Sequence, residues 1–427
     1  MNIKSEPVEK KSFICQVETY LGTKEYARHG RCVRLIGIDI QEYPALMDSQ
    51  SEGVTTFILE LDFWEFFMQE FGVRRWWKVA QLHGEIDRLE SELNSDRQWY
   101  HVELEVVTQS ADYFYRTFSE DAPTYVGAKR FQKVDITNFG GAGIATAGAL
   151  TMCSKSAPSH ANLSQVGIDY LTVPRLGGEY VFDAFHVGQG MCSLVHNEHV
   201  GLLLDAGAGK PVTRALYLDK VQPLQNNLRA LVMPLKCVRM VASHTDYDHW
   251  KLLAWDPLLL DKIEKILVPD RTNHLLFKDQ AIIDKCLGIQ SATIILDNNT
   301  SLTLHRAAPS YLDSNGDCLV AVFEREGQQV LAPGDYVYSR FKSDGTPAIQ
   351  GLLVSSYEAV IVPHHGDKAS ADDVVTPAST HAKAFFSAGT HQGYKHPTDE
   401  SRLAHNAAKF VEISHCNKAF ILKIRLL

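Results

Sequence analysis

The hexapeptide HTDYDH, His244 to His249, sets two imidazoles and two carboxylates into six positions directly after the apolar run LVMPLKCVRMVAS. A strand that ends in a turn this rich in donor atoms suits a cation. Nitrogen and oxygen ligands together favour Zn²⁺, Mn²⁺ or Fe²⁺, whereas an all-oxygen shell would point to Ca²⁺ or Mg²⁺. The competing reading is a polar surface loop that happens to collect His and Asp. Farther along, PGD, VPHHG and KHP place Asp335, His364, His365 and His396 near the ends of other β-rich or turn segments. Such a set would serve hydrolysis, because a bound metal lowers the pKa of water from about 16 to about 7.

The rest of the chain must position those side chains. A length of 427 residues suggests about two or three domains. With 45% hydrophobic and 22% charged residues the composition is that of a globular protein. The formal net charge of −9 argues against indiscriminate binding of nucleic acid through a basic surface, but not against a nuclease whose metals meet the phosphate. The eight cysteines form no CxxC pair and lie mostly in apolar runs, as free buried thiols of a reducing compartment would. The N-terminal MNIKSEPVEKKSF lacks an apolar signal region, and no run of about 18 apolar residues occurs, so a cytoplasmic protein without a membrane span is expected.

Residues 1–118 read as a small α/β domain. SFICQVETYL, HGRCVRLIGIDI, VTTFILELDF and WYHVELEVVT have strand character, and Phe63 to Leu93 has helical spacing through Leu82, Ile86, Leu89 and Leu93. This segment carries no catalytic constellation and could dock a protein partner. Residues 119–178 are richer in Gly and Ser and read as a linker. FGGAGIATAGAL lacks the Lys-Ser/Thr and the strand–turn–helix context of a phosphate loop. Residues 179–427 alternate short β-rich runs with segments such as WKLLAWDPLLLDKIEK and DESRLAHNAAKFVE, a pattern for layered sheets with helices outside.

Seven strings follow in order over roughly residues 180–400: FHVGQG (Phe185 to Gly190), LLLDAG (Leu202 to Gly207), SHTDYDH (Ser243 to His249), NGDCLV (Asn315 to Val320), LAPGD (Leu331 to Asp335), VPHHG (Val362 to Gly366) and SAGTHQGYKHP (Ser387 to Pro397). In this order they resemble the metallo-β-lactamase superfamily, in particular its ComEC-like branch, related to the hydrolase domain of the bacterial DNA-uptake channel. The resemblance implies an α/β fold, an αββα sandwich preceded by the small N-terminal domain, with two divalent metal ions, Zn²⁺ or Mn²⁺, at the lip between two sheets. It implies His244 and Asp246 on the first metal, Asp248 and His249 on the second, Asp335 as a bridge, and His364, preferred over His365, completing the second site. Asn315 lies near where relatives often carry a third first-site histidine. Met191 replaces a common Asp, and Trp250 stands where smaller residues are usual, which could narrow the entrance.

The resemblance implies a metallo-hydrolase using a hydroxide shared by two cations, most plausibly a phosphodiesterase or nuclease acting on DNA or RNA. Asp248, His365 and His396 are then the candidates for work on the substrate, the histidines by contacting phosphate or protonating the leaving group. Asp205 reads as a supporting carboxylate, and Ser370 as a helix cap. A lactone, thioester or cyclic nucleotide remains open as substrate, because one scaffold serves many reactions. A metal-stabilised interaction module is the alternative outside enzymology. No GxSxG elbow occurs, and Cys192 and Cys318 lie in apolar runs.

Overall fold

The computed structural model describes residues 9–24, 26, 31–42, 56–70, 99–116, 122–134, 178–218, 226–270, 280–309, 315–389, 396–414 and 421–427. The chain divides into two compact units, one built on residues 1–153 with a short stretch at 278–281, the other on 154–277 and 282–427.

The first unit is a closed antiparallel barrel of six strands: β1 (Lys10–Thr23), β2 (Arg31–Asp39), β3 (Thr56–Asp62), β4 (Trp99–Val106), β5 (Asp112–Arg116) and β6 (Thr124–Val134), in the order β1-β2-β3-β5-β6-β4. Alternation at period two sends Phe13, Cys15, Val33, Leu35, Leu59, Val102 and Leu104 into one core. On alternate positions Arg34 faces Glu60 across β2 and β3, at 2.7 Å, and Tyr113 donates to Glu60 at 2.5 Å. Two expectations change. The boundary at residue 118 falls one strand short, since β6 lies in the expected linker yet pairs with both β4 and β5. Its interspersed Gly, Lys and Gln hide the strand pattern. The α/β character is also slight, with Phe63–Glu70 as the α-helix among the described residues. Leu82 to Leu93, Trp76, Trp77 and the Gly-rich Phe139 to Leu150 lie outside the described residues.

The second unit is α/β and rests on two mixed seven-stranded sheets. The first joins β7 (Val181–His186), β8 (Cys192–His196), β9 (Val200–Ala206), β10 (Cys237–Val241), β11 (Ile266–Pro269), β12 (Cys286–Ile289) and β22 (Leu422–Arg425), in the order β12-β11-β10-β9-β8-β7-β22. The second joins β13 (Ala292–Ile295), β14 (Thr300–Arg306), β15 (Leu319–Arg325), β16 (Gln328–Ala332), β18 (Ala359–Ile361), β20 (Lys383–Phe386) and β21 (Val411–Ser414) in that order. A short ladder of β17 (Ser356–Tyr357) and β19 (Thr376–Pro377) stands apart. Leu202, Leu204 and Val241 of the first sheet share one core with Leu304, Phe323, Ile361 and Phe385 of the second, and Phe182 meets Phe323 at 5.7 Å.

The alternate residues Val320, Val322, Val360 and Phe386 pack with Phe341 and Ile349, from helices Tyr338–Ser343 and Pro347–Gly351. Strands buried on both faces read as unbroken apolar runs, as VLA in β16 and AVI in β18 do. Helix Asn227–Val232, capped by Asn226, takes up the first two residues of the apolar run LVMPLKCVRMVAS, and the strand itself begins at Cys237. The segment Asp399 to Glu412, expected to be helical, holds helix Asp399–Ala407, and its last two residues open β21. Cys15, Cys32, Cys192, Cys237, Cys286 and Cys318 are buried, as expected of them. Among the described residues no helix is long and apolar enough to cross a membrane.

β22 is fastened to β7 by a buried carboxylate. Asp183 accepts from His196 Nε2 at 2.8 Å and from Arg425, with Lys423 at 3.7 Å. Burial alone would raise its pKa, but His196 and Arg425 hold it below the ordinary carboxylate value. A depressed folded pKa contributes stability that is full above the unfolded value of about 3.9 and is lost as pH falls through the folded one. Asp183→Asn should therefore cost about 2 kcal/mol at pH 7. The difference from wild type, followed by denaturant unfolding, should shrink as the pH drops below about 4.

Candidate metal centre

Every expected ligand sits just past the carboxyl end of a parallel strand. β9 to β12 run parallel in the first sheet, as do β16, β18, β20 and β21 in the second. The carboxyl end of β9 carries Asp205, β10 leads into His244 to His249, β16 into Asp335, β18 into His364 and His365, and β20 into Ser387. Two backbone bonds join these loops across elements: Leu319 N donates to Ser243 O at 2.7 Å, and His364 N to Gly334 O at 3.2 Å.

Each imidazole is held by its Nδ1. His249 donates to Asp205 Oδ2 at 3.0 Å, His364 to Asp367 Oδ2 at 3.0 Å, and His365 to the Ser387 carbonyl at 2.8 Å. Ser243 Oγ donates to Asp205 Oδ2 at 2.8 Å, so it accepts from His244 Nδ1 at 3.2 Å. These partners orient the rings and turn all four Nε2 atoms inward, where a cation would displace any proton they carry. Those of His244, His249 and His365 are buried without a hydrogen-bond partner, as are Asp246 Oδ1 and Asp335 Oδ1. Unsatisfied buried polar atoms are costly, and five converging in one place fit a cation that would satisfy them together. The donors of His244, His249 and Asp335 lie within 4.8 Å of one another, as do those of Asp248, His249 and His365.

The expected ligands are thus brought together, with one correction. His365, not His364, stands with the second-site pair: its ring is 2% exposed and its Nε2 lies 3.2 Å from Asp248 Oδ2. His364 is a third exposed, and its Nε2 lies 3.8 Å from Asp335 Oδ2. Two successive left-handed residues, His364 (φ 46°) and His365 (φ 55°), send the rings in different directions, so the first histidine after the strand is not the inward one. His396 packs beside both rings, at 5.8 Å from His364 and 6.4 Å from His365 between centroids. Asn315 occupies the turn ahead of β15, in a loop where Arg306 pairs with Asp317.

A backbone pedestal supports the HTDYDH loop. The Asp248 carbonyl accepts from Met191 N at 3.2 Å, and Gly207 N donates to Met191 O at 2.7 Å. A Cβ on Gly207 would lie 1.6 Å from Asp248 O, and one on Gly190 2.8 Å from it. FHVGQG and LLLDAG are therefore glycine surfaces against which the loop lies. Met191 acts there through its main chain. Trp250 turns inward, buried, and donates from its indole to Thr245 O at 2.9 Å, bracing the loop rather than narrowing an entrance.

The electrostatics are strongly coupled. Burial would raise the Asp335 pKa, but the His249, His365 and His364 charges hold it well below the carboxylate range. For His249 burial works downward, yet Asp335 and Asp205 lift it well above its usual value. His364 rises to about 9 against burial, through Asp335 and Asp367. His396 falls to about 3, through burial and the neighbouring His365 and His364.

Asp367 and the main chain of Ser387 join the site without having been expected there. Asp367 was findable as the carboxylate three residues after His364, while the Ser387 carbonyl leaves no side-chain signature. Ser370, buried, donates its backbone N–H to Asp367 Oδ1 at 2.8 Å, so Asp367 is the cap and Ser370 faces inward.

No protein family's sequence profile matches the chain, and no curated protein does. Solved structures give distant likenesses. The metallo-β-lactamase fold protein YhfI from Bacillus subtilis is 13% identical, with a TM-score of 0.33, covering 57% of this chain and 100% of that one. Zn²⁺-bound PqqB from Methylobacterium extorquens is 12% identical, with a TM-score of 0.30, covering 55% and 87%. A protein of unknown function from Enterococcus faecalis is 15% identical, with a TM-score of 0.30 and 43% of this chain covered, and the chain spans about half of its length, 49%.

Two substitutions probe the supports. Asp205→Ala should weaken binding of added Zn²⁺ or Mn²⁺ by about 10–100-fold in a chelator competition. Gly207→Ala should cost about 1–3 kcal/mol in thermal or denaturant unfolding, because Asp248 must move to admit the methyl group.

Proposed function

We propose that the second unit is an αββα metallo-β-lactamase-like sandwich and that the protein is a metal-dependent hydrolase of phosphodiesters, with nucleic acid as the leading substrate class. The convergence of unsatisfied Nε2 and carboxylate oxygens between strand tips of two sheets carries the metal reading. The phosphodiester reading rests on the ordered strings that resemble the ComEC-like branch.

His244, Asp246, Asp248, His249, Asp335, His364 and His365 would hold two divalent cations, Zn²⁺ or Mn²⁺, with Asp335 between them. When bound, such ions lower the pKa of water and polarise a phosphoryl oxygen. The chain's own contribution is preorganisation: Asp205, Ser243, Asp367 and Ser387 fix each ring, so little reorganisation accompanies the reaction. Asp248, with a side chain about one-third exposed at 36%, faces where substrate would arrive. His396, kept uncharged by burial and by its histidine neighbours, is the imidazole left to contact the phosphate.

The purified chain with Mn²⁺ or Zn²⁺ should hydrolyse bis-p-nitrophenyl phosphate and single- or double-stranded nucleic acid. Asp335→Ala should lower turnover by at least about 10³-fold while circular dichroism stays unchanged. Equal turnover by that folded variant would end the metal reading. Turnover confined to lactones or thioesters would end the phosphodiester one.

A further inference from the structure

The adjacent histidines of VPHHG flank opposite oxygens of a single carboxylate. His244 Nε2 lies 3.7 Å and His364 Nε2 3.8 Å from Asp335 Oδ2. His249 Nε2 lies 3.2 Å and His365 Nε2 3.8 Å from Asp335 Oδ1. The two flanking aspartates divide the same way. Asp246 Oδ2 is 3.4 Å from His244 Nε2, and Asp248 Oδ2 is 3.2 Å from His365 Nε2. Two sets of matching composition result, each with two imidazoles, one carboxylate of its own and one oxygen of Asp335. Four ligands about 2.1 Å from a tetrahedral Zn²⁺ are separated by about 3.4 Å, and the six separations just given, from 3.2 to 3.8 Å, scatter around that value, although His364 and Asp246 stand outside the two groups whose donors all lie within 4.8 Å of one another.

Resting on the metal-centre reading above, we infer that the doublet divides between the cations: His364 is the third protein ligand of the first metal, and His365 its counterpart on the second. The backbone is shaped for such a division. His364 and His365 are both in the left-handed region, which disfavours any side chain, and their ring centroids are 6.3 Å apart. Strain of this kind persists where the surroundings impose it. Here Asp367 and the Ser387 carbonyl each tether one ring by Nδ1, and His364 N is bonded to the loop that bears Asp335. The first metal then needs no imidazole from the NGDCLV turn, and Asn315 is released from that task.

The test reads bound metal rather than turnover. Protein loaded with Zn²⁺ or Co²⁺ and passed through metal-free buffer is assayed by elemental analysis, with the cobalt visible spectrum reporting four-coordinate sites. Wild type should retain two ions. His364→Ala should retain one, its first-site affinity reduced by at least about 100-fold. Adding Asp246→Asn to that variant should change nothing further, because both residues serve the same ion, whereas adding Asp248→Asn should empty both sites. His364→Asn, which keeps a polar side chain, provides the same reading should the alanine variant fold poorly. Retention of two ions by His364→Ala or His364→Asn, or loss of the last ion on adding Asp246→Asn, would overturn the division. A protein that shows this pattern but hydrolyses nothing would keep the division and lose the proposed activity. One that binds no metal at all would lose both.

Discussion

The site depends on what happens at the far side of each imidazole. A histidine in a polar cluster would ordinarily turn either nitrogen toward a neighbour. In this protein Asp205, Ser243, Asp367 and the Ser387 carbonyl occupy the Nδ1 positions of His249, His244, His364 and His365, so that only Nε2 is left to face inward. The repulsion and desolvation of the inward atoms are tolerable because the outer bonds hold the rings there. Ser243 and Asp205 matter most, since one hydroxyl and one carboxylate orient two imidazoles at once.

That arrangement in turn requires that loops from two sheets meet. Parallel strands end on one edge, their loops emerge together, and the sheets share an apolar core that brings the two sets of loops into register. Side-chain chemistry is concentrated at the lip, but the close approach of the loops is achieved by main chain, with glycines where a methyl group would collide. The sandwich therefore supplies placement, and the polar bonds behind the rings supply orientation.

Much of this was legible in the residues. HTDYDH marked a candidate metal-binding loop because so many imidazoles and carboxylates at one strand end have few other uses, the resemblance added PGD and VPHHG as its expected partners, and the doubly buried strands around them read as apolar runs. Choosing between His364 and His365 was beyond sequence, because the outcome turns on two left-handed backbone conformations rather than on residue type. β6 was missed because its alternation is interrupted by Gly127 and Lys129, and helix Asn227–Val232 because its leucines and valine fit either period. Trp250 was read as a wall of the entrance, yet its indole serves a carbonyl within the loop, a partner that only the fold reveals.

His244 to His249 belong to one sheet, and Asp335, His364 and His365 to the other. Any ion held by both groups is consequently a clasp across the seam between the layers. Occupancy and cohesion of the sandwich become thermodynamically linked: a ligand at a thousandfold excess over its dissociation constant adds about 4 kcal/mol to the folded state. Metal scarcity would then be registered as a loosening of the sandwich itself, and the melting temperature of this unit becomes a gauge of how much metal its surroundings provide.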